Sequence, residues 1–551
     1  GLGGGREIEV EAISQHANAY TDEAETKTQR FLLPDRLCTG DDPCTLQWTF
    51  DPGATLSDLY HLRIKSATGE LLWADHDPGR PDFVILDTWD VGIGAYTVRV
   101  YYATLFPYAR DPKRIDYRLP PEAVPGFIES TFVPLIRDTW HTQLEEWGFG
   151  DPLHPDWDAD QIVEVIITNP PFALFDGSGT YTVFTDAQGH PYPERRIWWL
   201  STHAAFQRYD SWENAHRAIF AHEFFHLAQW NVLLNTGRST NYWLNTFIEA
   251  QAEFAVGVQY PELEIAKGHV LAGSSAYGNS ANLFLAERLN VSYRDLEADP
   301  TSKYDLALYW RFLYEQYGGM GVLRAALEEM AYRDSPDIVT SLGDTMDAAF
   351  DRAGGPYGTF EESLVAYARA NYALRLDNGR CVAADLGACG GRYYDPDDRY
   401  VDPPLEAELA FDGSGLTYSG AVPSSYGMDF VEVGLSPTLR GQPLTIRLQR
   451  EGKIARFNVQ IWKLGSSGSR PRAVTLQPEQ LPQNQDGVHV YAIPHVDTTV
   501  YDRLALIITR VDGEETADPH GNYRVTLDAA LGSSVSPLDT SSGKMLSGSG
   551  S

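Results

Sequence analysis

The spacing of apolar and polar residues changes character along this chain, and each change predicts a different kind of element. Residues 1–30 are polar and are assigned no element from their pattern. From 31 to 105, short stretches alternate apolar with polar: 46–50, 62–64 and 96–101. Asp51-Pro52-Gly53, Thr68-Gly69 and Pro78-Gly79 fall between them as turns. That pattern predicts short strands and a small β-sandwich over about 1–110. Phe132, Ile136, Trp140, Leu144 and Trp147 then recur at helical spacing up to Gly148. Pro134 stands where a kink would fall. This aromatic stripe reads as core rather than as a ligand cage. Strands are predicted at 162–168, 181–185 and 197–201. An apolar helical pattern follows (Ala218, Ile219, Phe220, Phe225, Leu227, Ala228, Leu233), and a second spans 242–254 with Leu244, Ile248, Ala252 and Ala255 on one side. The chain stays helical to about 376, and one helix over 304–317 stops at Gly318. From 405 the period returns to two, at 444–448, 457–461, 488–491, 504–508 and 523–527. Those strands fit a jelly-roll or immunoglobulin-like sandwich.

The candidate chemistry sits in the first of those central helices. Ala221-His222-Glu223-Phe224-Phe225-His226-Leu227 contains H-E-x-x-H. A helix turns every 3.6 residues, so His222 and His226 lie one above the other on one face. Two imidazoles so placed can offer a nitrogen each to one Zn²⁺. Glu223 flanks that face, where a carboxylate can take a proton from an activated water. The chain's own His and Glu frequencies give roughly 0.02 chance matches to this motif, few enough to pursue it.

A catalytic zinc needs a third protein ligand and one open position. The interval from His226 to Glu249 allows two more turns of the first helix, a turn at Asn235-Thr236-Gly237 and entry into the second. Two packed helices could therefore bring Glu249 to the metal. Glu253, one turn later on the same face, could hold a ligand histidine by its other ring nitrogen. Spacing alone permits either carboxylate as the ligand.

His222-Glu223-x-x-His226 followed by Glu249-x-x-x-Glu253 resembles the gluzincin metallopeptidases. H-E-F-F-H-x-x-Q is similar to secreted bacterial hyicolysin-like members. The resemblance covers about residues 120–375. It implies a zincin-like catalytic domain over 118–378, with Glu249 as third zinc ligand and Glu253 behind it. The metzincin pattern fails, because Gln229 and Val232 stand where it needs Gly and His. No G-x-M-E-N segment of the gluzincin aminopeptidases is present. In zincins an edge strand of the sheet pairs with extended substrate, and residues 197–200 are the candidate. The segment beginning at Tyr304 is similar to one following the metal helices in this group, so Tyr304 is the candidate donor to the oxyanion. His203 and His216 have no partner spacing and read as structural.

Composition narrows the partners and the compartment. A net charge of −33 argues against nucleic acid or an anionic membrane as partner. No apolar run reaches the roughly 18 residues of a membrane helix. The four cysteines form two close pairs, Cys38/Cys44 and Cys381/Cys389, in loops rich in Gly, Asp and Pro. Two small disulfides and export are expected. Asp395, Asp397, Asp398 and Asp402 form one acidic loop, and Asp156, Asp158 and Asp160 another. Either offers the oxygen ligands of Ca²⁺, but neither has the Gly and terminal Glu of an EF-hand, so solvated loops are favoured. Asn290-Val291-Ser292 is a sequon of a kind common by chance. The chain opens without Met on Gly1-Leu2-Gly3, as if a signal peptide had been removed.

These readings combine into a multidomain α+β chain. An N-terminal sandwich (1–110) precedes the zincin-like domain (118–378) and a disulfide-containing linker (379–404). A C-terminal sandwich (405–532) and a flexible Ser/Gly-rich tail (533–551) complete it. The expected activity is a secreted, monomeric zinc endopeptidase on protein or peptide substrates. Two alternatives stay open: an adhesion or binding protein on a zincin scaffold, and a gluzincin hydrolase of another bond.

Overall fold

The computed structural model describes residues 5–17, 24–34, 60–66, 71–74, 87–102, 126, 128–150, 162–168, 183–185, 191–193, 196–200, 212–235, 245–261, 306–331, 338–382, 389–393, 400, 402–422, 426–452, 455–467, 470–484, 487–512 and 521–529. Among them are twenty strands and seven α-helices, a mixed α/β architecture in more than one domain. The chain divides into two compact units, Gly1–Phe284 with Leu296–Phe360, and Leu285–Asp295 with Glu361–Ser551.

The first unit opens with a four-stranded sheet. β1 (Gly5–Ala17) and β2 (Ala24–Pro34) form a long antiparallel hairpin, and β3 (Tyr60–Ser66) and β4 (Leu71–Ala74) extend it in the order β2-β1-β3-β4. Within the polar stretch 1–30, the described residues 5–17 and 24–30 are therefore strand. In the sequence of β1, Glu7, Glu9 and Glu11 alternate with Ile8 and Val10 in the period of a strand.

A second sheet runs β10 (Arg196–Leu200), β7 (Ile162–Thr168), β6 (Tyr96–Tyr102), β5 (Asp87–Ile93). Residues 87–102, assigned from sequence to the N-terminal sandwich, belong here instead. β6 pairs in parallel with β7, Val98 opposite Val163, and β10 in parallel with β7, Trp198 opposite Ile166. Parallel neighbours need a crossover, and the helical run 128–146 supplies it between β6 and β7. That run is α1 (Val133–Trp140) with a π-helical turn on either side. Pro134 falls in the first turn of α1, where a missing N–H is tolerated. Phe132, Ile136, Trp140 and Leu144 are buried, so the aromatic stripe is core. Tyr96 of β6 packs on Trp140, ring centroids 5.3 Å apart.

α2 (Trp212–Asn235) and α3 (Asn245–Gln259) pack on each other. α2 also touches α1 and β10. α4 (Ala307–Tyr317) lies on α3, α5 (Gly321–Ala331) lies on α2, and α6 (Ile338–Ala353) lies on α5. α4 stops as its sequence predicts: Gly318 is left-handed at φ 74°, and its N–H bonds the Tyr314 carbonyl.

The second unit is a two-sheet sandwich. One sheet runs β11 (Ala407–Phe411), β13 (Met428–Leu435), β19 (Arg503–Arg510), β15 (Phe457–Ser467), β16 (Arg470–Ala473). The other runs β12 (Leu416–Ala421), β20 (Asn522–Ala529), β14 (Leu444–Arg450), β18 (Val488–Ile493). Val431, Val433, Ile446, Leu448, Leu506, Ile508, Val525 and Leu527 fill the space between them. β13 and β19 are buried on both faces, not alternately as predicted for residues 504–508. The reason is α7 (Phe360–Ala373), which covers the outer face: Tyr372 packs on Phe430 and Trp462. Glu432, fully buried beneath it, accepts from the Tyr372 hydroxyl at 2.8 Å, Arg375 at 3.3 Å and Arg503 at 2.6 Å. Cys381 and Cys389 are disulfide-bonded in the stretch that follows α7.

Candidate metal centre

α2 is a core helix, and that is why its two histidines are held firmly. Phe220, Ala221, Phe224, Phe225, Leu227 and Ala228 are all buried. Phe224 meets Trp140, and Phe225 meets Phe149 with centroids 4.9 Å apart. Alanines at 221 and 228 on α2, and at 250, 252 and 255 on α3, let elements approach closely. Gln143, from the π-helical turn after α1, donates to the Ala221 carbonyl at 2.8 Å, one residue before His222. At its far end α3 is tied to α1: Tyr260 donates to Asp138 at 2.8 Å, and Gln259 bonds Thr139 at 3.1 Å.

Three donor atoms converge where α2 faces α3. His222 Nε2 is 3.2 Å from His226 Nε2 and 3.3 Å from Glu249 Oε2, and His226 Nε2 is 3.6 Å from the same carboxylate oxygen. Ligands about 2.0–2.1 Å from a tetrahedral Zn²⁺ stand ~3.3 Å from one another, so the triangle has the dimensions of a zinc site. Two imidazoles and one carboxylate also form a donor set that zinc accepts, and they leave a fourth position for water or substrate. Among the described residues this is the one group of three or more His, Cys, Asp or Glu able to hold a metal ion.

The remaining ring nitrogens are held as well. His222 Nδ1 is 3.2 Å from Glu253 Oε2, and His226 Nδ1 is 2.9 Å from Gln229 Oε1. Burial alone would lower the His222 pKa. Hydrogen bonds to Glu249 and Glu253, with the charges of Glu223 and Glu253, outweigh it and raise the pKa to about 10. In the metal-free protein His222 is thus an imidazolium, with an N–H toward each carboxylate. Glu223 lies close enough to His222 for its charge to contribute, and it is partly exposed while the flanking Ala221 and Phe224 are buried.

Of the residues singled out from sequence, His222, His226 and Glu249 come together, with Glu253 behind His222. β10, the candidate edge strand, is at one end of its sheet among the described residues. Tyr304, Cys38, Cys44, His203, the Asn290 sequon and Asp156, Asp158, Asp160, Asp395, Asp397 and Asp398 lie outside the described residues. Asp402 is committed elsewhere: its Oδ1 accepts from Arg380 at 3.2 Å and Arg470 at 3.0 Å, so it serves an ion pair rather than a calcium site. Gln229 was singled out only as a motif position, the last residue of H-E-F-F-H-x-x-Q, and Gln143 not at all, and neither was given a place beside the site. A fully buried Gln229 amid Leu227, Ala228, Val232 and Leu233 is a polar residue in an apolar run, and that was the available signal.

No known family profile matches the chain, and no curated protein matches it. Eighteen chains of solved structure do. They include the pre-peptidase C-terminal domain of a collagenase from Bacillus anthracis, at 13% identity and TM-score 0.16, over 23% of this chain and 97% of that one. PliG, a periplasmic inhibitor of g-type lysozyme from Salmonella Typhimurium, matches at 14% identity and TM-score 0.14, over 22% of this chain and 96% of that one. The catalytic module of the metalloprotease ZmpA from Clostridium perfringens matches at 13% identity and TM-score 0.23, over 82% of this chain and 85% of that one.

Proposed function

We propose that this chain is a secreted zinc-dependent endopeptidase of gluzincin type. The observation that carries the reading is the convergence of His222 Nε2, His226 Nε2 and Glu249 Oε2 within 3.6 Å of one another. Those three residues would hold the metal. Bound zinc would supply Lewis acidity, making water a stronger acid and the scissile carbonyl a better electrophile. Glu223 is the general base: it accepts the proton of the attacking water and returns it to the leaving amine. Glu253 keeps His222 oriented through Nδ1. Tyr304 is the proposed donor to the developing oxyanion. β10 offers an edge along which an extended peptide can pair.

Export is supported by the Cys381–Cys389 disulfide, a bond that persists in oxidising compartments. No helix among the described residues is long and apolar enough to cross a membrane.

The experiment is metal analysis and a casein or peptide-library assay on wild type and Glu223→Gln. Wild type should carry about one zinc per chain and lose activity to a strong chelator. Glu223→Gln removes the base and no ligand, so it should keep the zinc and lose turnover by at least ~10²-fold. Wild type without zinc after reconstitution, or a Glu223→Gln variant as active as wild type, would sink the assignment.

A further inference from the structure

We propose that Gln229 is the positioning residue that fixes His226 in the one neutral tautomer able to ligate a metal through Nε2. The inference rests on the metal-centre reading above and assigns a role within it to a residue outside the ligand motif.

Gln229 is fully buried one turn after His226 on α2. Its Oε1 is 2.9 Å from His226 Nδ1. Its Nε2 donates to the Ile248 carbonyl at 2.9 Å and to Gln251 Oε1 at 3.1 Å. An amide side chain can in principle be turned end for end, and a glutamine partner could turn with it. The Ile248 carbonyl cannot: it only accepts. Turning the Gln229 amide would press its oxygen against that carbonyl at hydrogen-bond distance, in a site buried from solvent. The amide orientation is therefore fixed by the backbone of α3.

Its oxygen then faces His226 and can only accept, so the proton of the neutral ring must be on Nδ1. That leaves the lone pair on Nε2, the atom 3.2 Å from His222 Nε2 and 3.6 Å from Glu249 Oε2. Ile248 immediately precedes Glu249. One side chain thus couples the orientation of a ligand on α2 to the backbone that carries the ligand on α3. The two histidines are held differently: a carboxylate, Glu253, stands behind His222, and a neutral amide behind His226. A neutral partner fixes the tautomer without adding a further negative charge that would quench the metal's acidity.

The test compares full-length wild type, Gln229→Met and Gln229→Glu. Each is stripped of metal, titrated with Zn²⁺ against a fluorescent chelator, and examined for its visible Co²⁺ spectrum. Gln229→Met keeps the volume but removes the acceptor, and should lose about 10–100-fold in zinc affinity with an altered cobalt spectrum. Gln229→Glu, its buried carboxyl protonated so that the O–H replaces the amide N–H donated to the Ile248 carbonyl, retains a neutral oxygen facing Nδ1 and should stay within about threefold of wild type. A Met variant that melts at lower temperature but binds zinc like wild type would mean Gln229 merely ties the helices, overturning the inference. So would equal losses in both variants. Should Gln229→Met fail to fold, ¹⁵N-histidine spectra of metal-free wild type decide, with His226 assigned by its absence in His226→Asn. A neutral ring protonated at Nδ1 is expected, and one protonated at Nε2 overturns the proposal. Wild type that binds no zinc at all would remove the metal centre itself, and this inference with it.

Discussion

Glu249 and Glu253 lie one turn apart on the same face of α3, yet their substitutions should behave differently. Glu249 Oε2 is within 3.3 and 3.6 Å of the two Nε2 atoms, whereas Glu253 Oε2 is 3.2 Å from the far nitrogen of His222. Glu249→Ala therefore deletes a ligand. Apparent zinc affinities of about 10–16 kcal/mol spread over four positions put each ligand at roughly 2.5–4 kcal/mol, so the loss should be on the order of 10²–10³-fold. Glu253→Ala deletes an orienting partner, worth about 10–100-fold or ~1.4–2.8 kcal/mol. The conservative amides sharpen the contrast. Glu253→Gln still offers an oxygen to Nδ1–H and should recover most of the affinity. Glu249→Gln offers only a neutral, weakly donating oxygen and should not. Zinc competition against a fluorescent chelator on all four variants, with melting curves of the metal-free forms as the folding control, is the assay. A metal-free Glu253→Ala beside a nearly normal Glu249→Ala would refute the assignment by one helical turn.

The raised His222 pKa makes zinc compete with a proton. Binding at pH 7 should release close to one proton from His222, and affinity should rise ~10-fold per unit toward pH 10; calorimetry in buffers of different ionisation enthalpy measures this, and flat behaviour would contradict it. In the metal-free protein the same group is protonated more readily folded than unfolded. Its stabilisation is full below pH ~6.5 and lost as pH climbs through about 10, which melting curves across that window can check. Glu432→Gln should destabilise the C-terminal unit by on the order of 3 kcal/mol, because Arg375 and Arg503 would face a neutral amide; denaturant melts in which wild type and variant coincide would refute it. Replacing Cys381 and Cys389 by Ser should cost roughly 2–3 kcal/mol, the loop-closure estimate for so short a ring, and an unchanged melting temperature of the C-terminal unit would count against it.

What the sequence determined by itself was whatever depends on near neighbours in the chain. The period of 3.6 put His222 over His226 and Glu249 over Glu253, each pair on one face of its own helix. Gly318 ended its helix because only a residue without Cβ takes φ 74° freely. Alternation marked β14 and β20, whose faces meet the core on one side. Tertiary structure decided what depends on partners far along the chain. Nothing in the alternation of 96–101 says that β6 will pair with β7, some sixty residues on, because a strand's pattern names its buried face and not its neighbour. β19 reads as a two-sided apolar run only because α7 covers the face opposite the sandwich core. Gln229 could be seen in advance as a polar residue in an apolar helix, but its function depends on the Ile248 carbonyl of another helix. Which of Glu249 and Glu253 stands near both Nε2 atoms was likewise open by spacing and was set by packing. A helix sets the angle between two side chains to within a few degrees, while the ångström that separates a ligand from its support is set by how two helices seat against each other.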